Sequence, residues 1–342
     1  MNIITEILKY RSVSIVGIEK NTGKTESLNY ILSKLQNSDK CIAVTSIGVD
    51  GESIDAVTFT SKPEITVFEN MLFVTSEKHY FTKQFTAEIM NVSTEHTALG
   101  RLITARAKTT GNVLISGPAD TSTLQKTILQ NTRLDADITI VDGALSRMSL
   151  ASPSVTDAMI LATGAAYSAN ISQLVRKTKF VCELISLDVV DDKICQILSN
   201  INKGLWCIDE NGTLHDLEIE SALMLPISLS SQNSVLLQNC KILFVAGVVS
   251  DKLLDFLRQQ INNLQEFTLV TKDFTKIFVT PEVYNFFQKK GGCIKVLHKT
   301  KLIAVTVNPV SPEGYVLDTK VLQQAMRENL NIPVYDVREL KN

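Results

Sequence analysis

One stretch constrains this chain more than any other: Ile15-Val16-Gly17-Ile18-Glu19-Lys20-Asn21-Thr22-Gly23-Lys24-Thr25. The apolar run Ser12–Gly17 (SVSIVG) enters a turn of small and polar residues. Leu28, Ile31, Leu32 and Leu35 then recur at helical spacing. The pattern predicts a buried strand, a loop, and an amphipathic helix over about Thr25–Gln36. The first-turn N–H groups of such a helix have no intrahelical partners, and with the helix dipole they favour an anion. A lysine is badly placed at that end unless an anion sits beside it. Gly23-Lys24-Thr25 therefore points to a polyphosphate. Lys24 would reach the β- and γ-phosphates, as the catalytic charge, and the Thr25 hydroxyl would hold Mg²⁺. The candidate nucleotide cradle is Gly17, Glu19, Lys20, Asn21, Thr22, Gly23, Lys24, Thr25 and Glu26. The spacing departs from G-x-x-x-x-G-K-[ST]: Ile18 stands where Gly is required and Gly17 comes one place early, so the loop entry should be shaped differently.

The rest of the N-terminal part alternates strand and helix signals, as a parallel α/β sheet does. Cys41–Ile47, Ile65–Glu69, Leu72–Ser76, Ile138–Asp142 and Ala158–Thr163 read as strands. Leu99–Ala107 with Asn112–Gly117 reads as a hairpin, and helices carry Leu124, Ile128 and Leu129, then Ile171, Leu174 and Val175. A phosphate loop needs a further acid for Mg²⁺, and Asp142 ends an apolar strand before Gly143-Ala144, so it is the candidate; a turn or cap role is the plainer alternative. Asp50, with Glu52 second, follows the strand after the first helix; they are candidates for metal binding or for placing the attacking water, or else belong to an ordinary exposed loop. Asp120 reads equally as a metal contact or a helix N-cap. Lys20 is a surface lysine, an in-loop phosphate contact, or a residue reaching across a homodimer. Thr163-Gly164-Ala165-Ala166 is a strand-to-helix turn that could approach a base or a partner. His79, His96, His215 and His298 show no triad or metal spacing and read as surface or strand residues.

Near Ile185 the rhythm changes. A helix over Asp191–Ile201 and a hairpin at Asn211-Gly212 precede a polar stretch, Ser228–Asn239, that reads as a linker. From Lys241 a second α/β set begins, ending in a hairpin over Ile294–Val307, a helix over Asp318–Asn329 and a strand Val334–Val337. The expected organisation is an α/β fold with a parallel-sheet P-loop NTPase domain over 1–225, followed by a smaller α/β domain over 240–342. A length of 342 residues suits two domains.

Composition excludes other classes. The chain is 44% hydrophobic with a net charge of −2, so disorder is excluded. Lys+Arg at 34 against Asp+Glu at 36 argues against a nucleic-acid partner. No stretch is long and apolar enough for a membrane span, and Met1–Arg11 is too polar for a signal peptide, so a cytoplasmic location is expected. The 6 cysteines follow no zinc or C-x-x-C spacing and read as buried free thiols.

The shifted loop resembles that of dethiobiotin synthetase and its relatives, a P-loop branch that includes metallochaperone GTPases and ATPases of the nitrogenase-iron-protein type. The strand-acid-Gly-Ala segment at Asp142 is similar too, although that branch often has Glu there. Together, Val16–Leu32, Val44–Glu52, Val113–Asp120, Ile140–Arg147 and Asp157–Thr178 resemble the ATP-binding subunit of the reactivating factor encoded beside lysine 5,6-aminomutase in amino-acid-fermenting bacteria. The resemblance implies an ATP- and Mg²⁺-dependent, chaperone-like ATPase. It would work with a second subunit resembling a mismatch-repair ATPase, to release damaged cobalamin from an adenosylcobalamin-dependent aminomutase. The alternative is a stand-alone ligase or kinase of the dethiobiotin synthetase type acting on a small acid. A GTP-using metallochaperone would want a Cys/His cluster, and a binding module with an idle loop would show no turnover.

Overall fold

The computed structural model describes residues 3–47, 64–144, 155–225 and 231–336. The strands are β1 (Ser12–Gly17), β2 (Ile42–Ser46), β3 (Ile65–Val67), β4 (Leu72–Ser76), β5 (Ala87–Thr97), β6 (Gly100–Ala107), β7 (Gly111–Val113), β8 (Ile138–Ala144), β9 (Ala158–Gly164), β10 (Leu205–Asp209), β11 (Leu214–Asp216), β12 (Cys240–Val245), β13 (Val249–Ser250), β14 (Thr268–Thr271), β15 (Ile277–Phe278), β16 (Cys293–Val296), β17 (Leu302–Asn308) and β18 (Val334–Asp336). Helices α1 to α5 are Ile3–Ile7, Lys24–Leu35, Glu77–Thr82, Thr121–Arg133 and Ile171–Ile185.

Contacts divide the chain into two compact units, residues 1–179 with 301–342, and residues 180–300. The first is built on a nine-stranded sheet of order β18-β17-β9-β1-β8-β2-β4-β6-β5. Strands β18 to β4 of that order run parallel; β6 and β5 are antiparallel additions at one edge. Strands β1, β2, β4 and β9 are buried at every residue, as expected where helices cover both faces of a parallel sheet. Helix α2 lays Leu28, Ile31, Leu32 and Leu35 on Ile15, Ile42, Val44 and Ile140, which fixes where its N-terminus sits.

The second unit has its own five-stranded sheet, β11-β10-β12-β14-β16, antiparallel at the β11-β10-β12 side and parallel beyond. Its core joins Leu198, Ile208, Phe244 and Val270, with Trp206 against it. Among the described residues no helix is long and apolar enough to cross a membrane.

Several expectations are corrected. The fold is a mixed α/β architecture with a large, mostly parallel sheet, but the smaller unit is inserted rather than appended: β17 pairs with β9, so residues 301–342 return to the first sheet. The division is therefore not 1–225 and 240–342. The strands expected as a hairpin over Ile294–Val307 belong to different sheets, β16 to the second unit and β17 to the first. Strand periodicity reports a strand but not its neighbour. The expected linker contains a helix, Ser231–Gln238. Strand β6 pairs with β5 and β4, whereas Gly111–Val113 pairs with β3. The edge strand β5 went unread because Glu88, Asn91, Glu95 and His96 break any apolar alternation; all its residues are at least partly exposed.

Candidate active site at the N-terminus of helix α2

At the end of β1, Gly17 lies level with Ala162 of β9 on one side and Ala144 of β8 on the other. Ile18 N then donates to Ala162 O at 2.9 Å, so the chain leaves along the β9 side. The loop closes through two left-handed residues, Asn21 (φ 60°) and Gly23 (φ 87°), and Thr22 Oγ1 donates to Glu19 O at 2.9 Å. The early glycine has a local reason. A Cβ on Gly17 would lie 2.9 Å from Thr22 Oγ1 and 3.2 Å from Glu19 O, inside the folded loop. Gly23 is constrained twice, by its positive φ and because a Cβ would lie 2.6 Å from Asn308 Cβ.

Helix α2 begins at Lys24. Lys24 Nζ lies 2.9 Å from Asp142 Oδ1 and donates to Oδ2 at 3.0 Å. Asp142 is held by its strand, level with Ile15 of β1 and Ser46 of β2, and its carbonyl accepts from Ile47 N. Its Oδ1 is shut off from water and accepts no aligned hydrogen bond. Thr25 and Lys24 are half-buried, Thr22 and Gly23 buried, and Glu19, Lys20, Asn21 and Glu26 exposed on the rim. Loop and acid thus meet through the Lys24–Asp142 pair.

The donor set fits Mg²⁺. That ion needs only one or two carboxylates beside phosphate oxygens and waters. The Asp142 carboxylate and the Thr25 hydroxyl would supply the protein's share. Among the described residues no group of three or more His, Cys, Asp and Glu gathers as a denser metal cage.

Asp50 and Glu52 lie outside the described residues. Asp120 caps α4: Thr123 N donates to Oδ1 at 2.9 Å and Thr123 Oγ1 to Oδ2 at 2.8 Å, which together hold the carboxyl below its ordinary range. His79 is not a surface residue; it is buried in α3 with Nδ1 3.0 Å from Ser116 Oγ. Gly164 lies against Asn308, whose carbonyl accepts from Ala165 N at 2.8 Å, and Tyr315 Oη donates to Ala165 O at 2.7 Å. The turn after β9 is thus tied to the loop after β17.

Sequence reasoning missed this β17 side of the site. Ser27 Oγ is 3.0 Å from Gly23 O and 2.9 Å from Thr306 Oγ1, and Asn308 abuts Gly23. A serine among the apolar positions of α2 was the available signal for Ser27. Tyr167 was also missed: burial, and secondly the charge of Glu19, raises its phenol, and Lys177 Nζ sits 4.7 Å over its ring.

Compared with known proteins, the chain matches no family model and no curated protein.

Proposed function

We propose that the protein binds a nucleoside triphosphate with Mg²⁺ at the N-terminus of α2 and hydrolyses it. One observation carries this reading: the Lys24 ammonium and the Asp142 carboxylate meet where a buried strand, a glycine-bearing loop and a helix start converge. The pair places a cation and an anion at the one point in the fold where a polyphosphate and its metal need both. On binding, Lys24 would turn from Asp142 to the phosphates and stabilise charge developing on the transferred phosphoryl group. Thr25 and Asp142 would hold Mg²⁺, which supplies charge neutralisation on the phosphate oxygens. Asp50 or Glu52 would place the attacking water. The exposed Glu19, Lys20, Asn21 and Glu26 would rim the nucleotide.

The test is equilibrium binding of ATP and GTP, with phosphate release, for wild type and Lys24→Ala. Equal binding and turnover in the variant would sink the proposal. The segment resemblance further supports ATP as nucleotide, a cytoplasmic setting, and a reactivating role: turnover drives a partner change that frees damaged cobalamin from an aminomutase, with a second mismatch-repair-like subunit. That reading expects turnover stimulated by the mutase. The ligase or kinase alternative expects stimulation by a small acid and no response to protein.

A further inference from the structure

We propose that the first unit carries a separate binding site for a small organic anion, bearing a carboxylate or a phosphate, in the cavity between α3 and the strand pair β3–β7. The cavity measures about 330 Å³, at the small end of metabolite pockets. Lys78, His79, Thr82 and Lys83 line one side, Asn112 and Glu64 the other. Among the described residues, the charged groups of the lining are the Lys78 and Lys83 ammoniums and the Glu64 carboxylate. Lys78 follows the end of β4, but the chain turns back from there: Tyr80 Oη donates to Ala87 O, and Ala87 pairs with Ala107, level with the start of β4. Three strand spacings separate β4 from β1, roughly 14 Å.

Lys83 carries the argument. Its Nζ sits 3.9 Å over the Tyr80 ring and 5.6 Å from the Phe85 ring centroid, and among the described residues no carboxylate pairs with it. Exposed lysines of the same unit do find acids: Lys40 pairs with Asp137, Lys108 with Glu88 and Lys126 with Glu95. Burial holds the Lys83 ammonium below its ordinary value. A partly desolvated cation on an aromatic shelf gains most from an anion brought to it. Asn112 adds a directed donor. Its Oδ1 already accepts from Thr66 Oγ1 at 3.0 Å, which leaves the Nδ2 amide to donate.

The wall beside His79 is held by a hydrogen-bonded cluster. The buried Ser116 Oγ lies 3.0 Å from His79 Nδ1, 3.2 Å from Thr75 Oγ1 and 2.9 Å from Ser76 Oγ, and accepts from Ser76 N at 3.0 Å. That hydroxyl ties α3, the end of β4 and the segment after β7 into one piece, so the cavity needs little reorganisation to bind. The required ligand is compact, anionic at one end, and of metabolite size.

The experiment titrates the full chain with glutarate and with inorganic phosphate by calorimetry, for wild type, Lys83→Gln, Lys83→Arg and Lys24→Ala. The expected result is saturable binding of at least one probe in wild type. It should weaken about tenfold or more in Lys83→Gln, recover in Lys83→Arg and persist in Lys24→Ala. The stronger probe shows whether carboxylate or phosphate is preferred. Circular dichroism of Lys83→Gln checks that it folds; should it not, Asn112→Ala and Lys83→Arg carry the comparison. No saturable binding of either probe, binding unchanged by Lys83→Gln with Asn112→Ala, or binding lost only in Lys24→Ala each overturns the proposal.

Discussion

Lys24 and Asp142 hold each other in a state that a ligand must undo. Truncating Lys24 removes the phosphate-facing charge and strips the Asp142 carboxylate of the cation that pairs with it. If the proposed activity holds, Lys24→Ala should lower the hydrolysis rate by about 10²–10³, the size seen when one preorganised charge partner of a transition state is lost. Phosphate release at saturating nucleotide measures it. Gly23→Ala is expected to act differently. The variant meets both a left-handed φ and the Asn308 side chain, so it should destabilise the chain by about 1–3 kcal/mol through strain and crowding. Its urea midpoint should fall, and an unchanged midpoint would refute the packing argument. These residues differ in how readable they were. Asp142 ends a local apolar run and Lys24 opens an amphipathic helix behind a glycine, so their neighbours announce them. Asn308 and Thr306 reach the same helix start from the far end of the chain, and no local pattern reports that approach. His79 was misread because a histidine's burial depends on the hydroxyls of Thr75, Ser76 and Ser116, which only the fold assembles around it.

At the scale of elements, the start of α4 was legible from the short polar side chain that caps it. Helix α4 begins at Thr121 behind Asp120, whose two oxygens satisfy first-turn donors. Asp120→Ala should cost about 0.5–2 kcal/mol of stability at neutral pH. The sign with pH follows from the depressed carboxyl. The backbone N–H of Thr123 favours the ionised form in the folded chain, so the contribution is fully present above the ordinary carboxylate value of about 3.9 and fades as pH falls through the lower folded value. Urea midpoints of wild type and variant should therefore converge below about pH 4, and a gap that widens in acid would contradict the cap. Strand β6 was legible as a strand, but its partner was not. β6 carries the apolar run Leu102 to Ala105 and was read correctly as an element, then given the wrong neighbour, because β5 hides its pairing behind charged residues. Pairing is a non-local property, and a period of two residues says only which face is buried.

At the scale of the whole molecule, chain order and spatial order part company. The sequence suggests that a nucleotide domain ends before a second begins, which predicts that residues 1–225 fold and bind nucleotide alone. The sheet argues the opposite. β17 hydrogen-bonds along the length of β9, a strand buried at every residue, and β18 closes that edge. Within β17, Ile303, Val305 and Val307 are buried. At about 1.5–3 kcal/mol for each such side chain, their loss amounts to roughly 5–9 kcal/mol, most of the 5–15 kcal/mol by which a domain is stable. A chain ending at residue 225 also loses Thr306 and Asn308, which brace the start of α2 at Ser27 and Gly23. It should lack a cooperative unfolding transition and bind no nucleotide. A chain in which a short Gly/Ser linker replaces residues 180–300 keeps every strand of the nine-stranded sheet and should retain both. Urea unfolding followed by circular dichroism, with nucleotide titration of the two shortened chains, separates the cases. A cooperative, nucleotide-binding 1–225 fragment would show that the returning strands are dispensable and that the linear division was right.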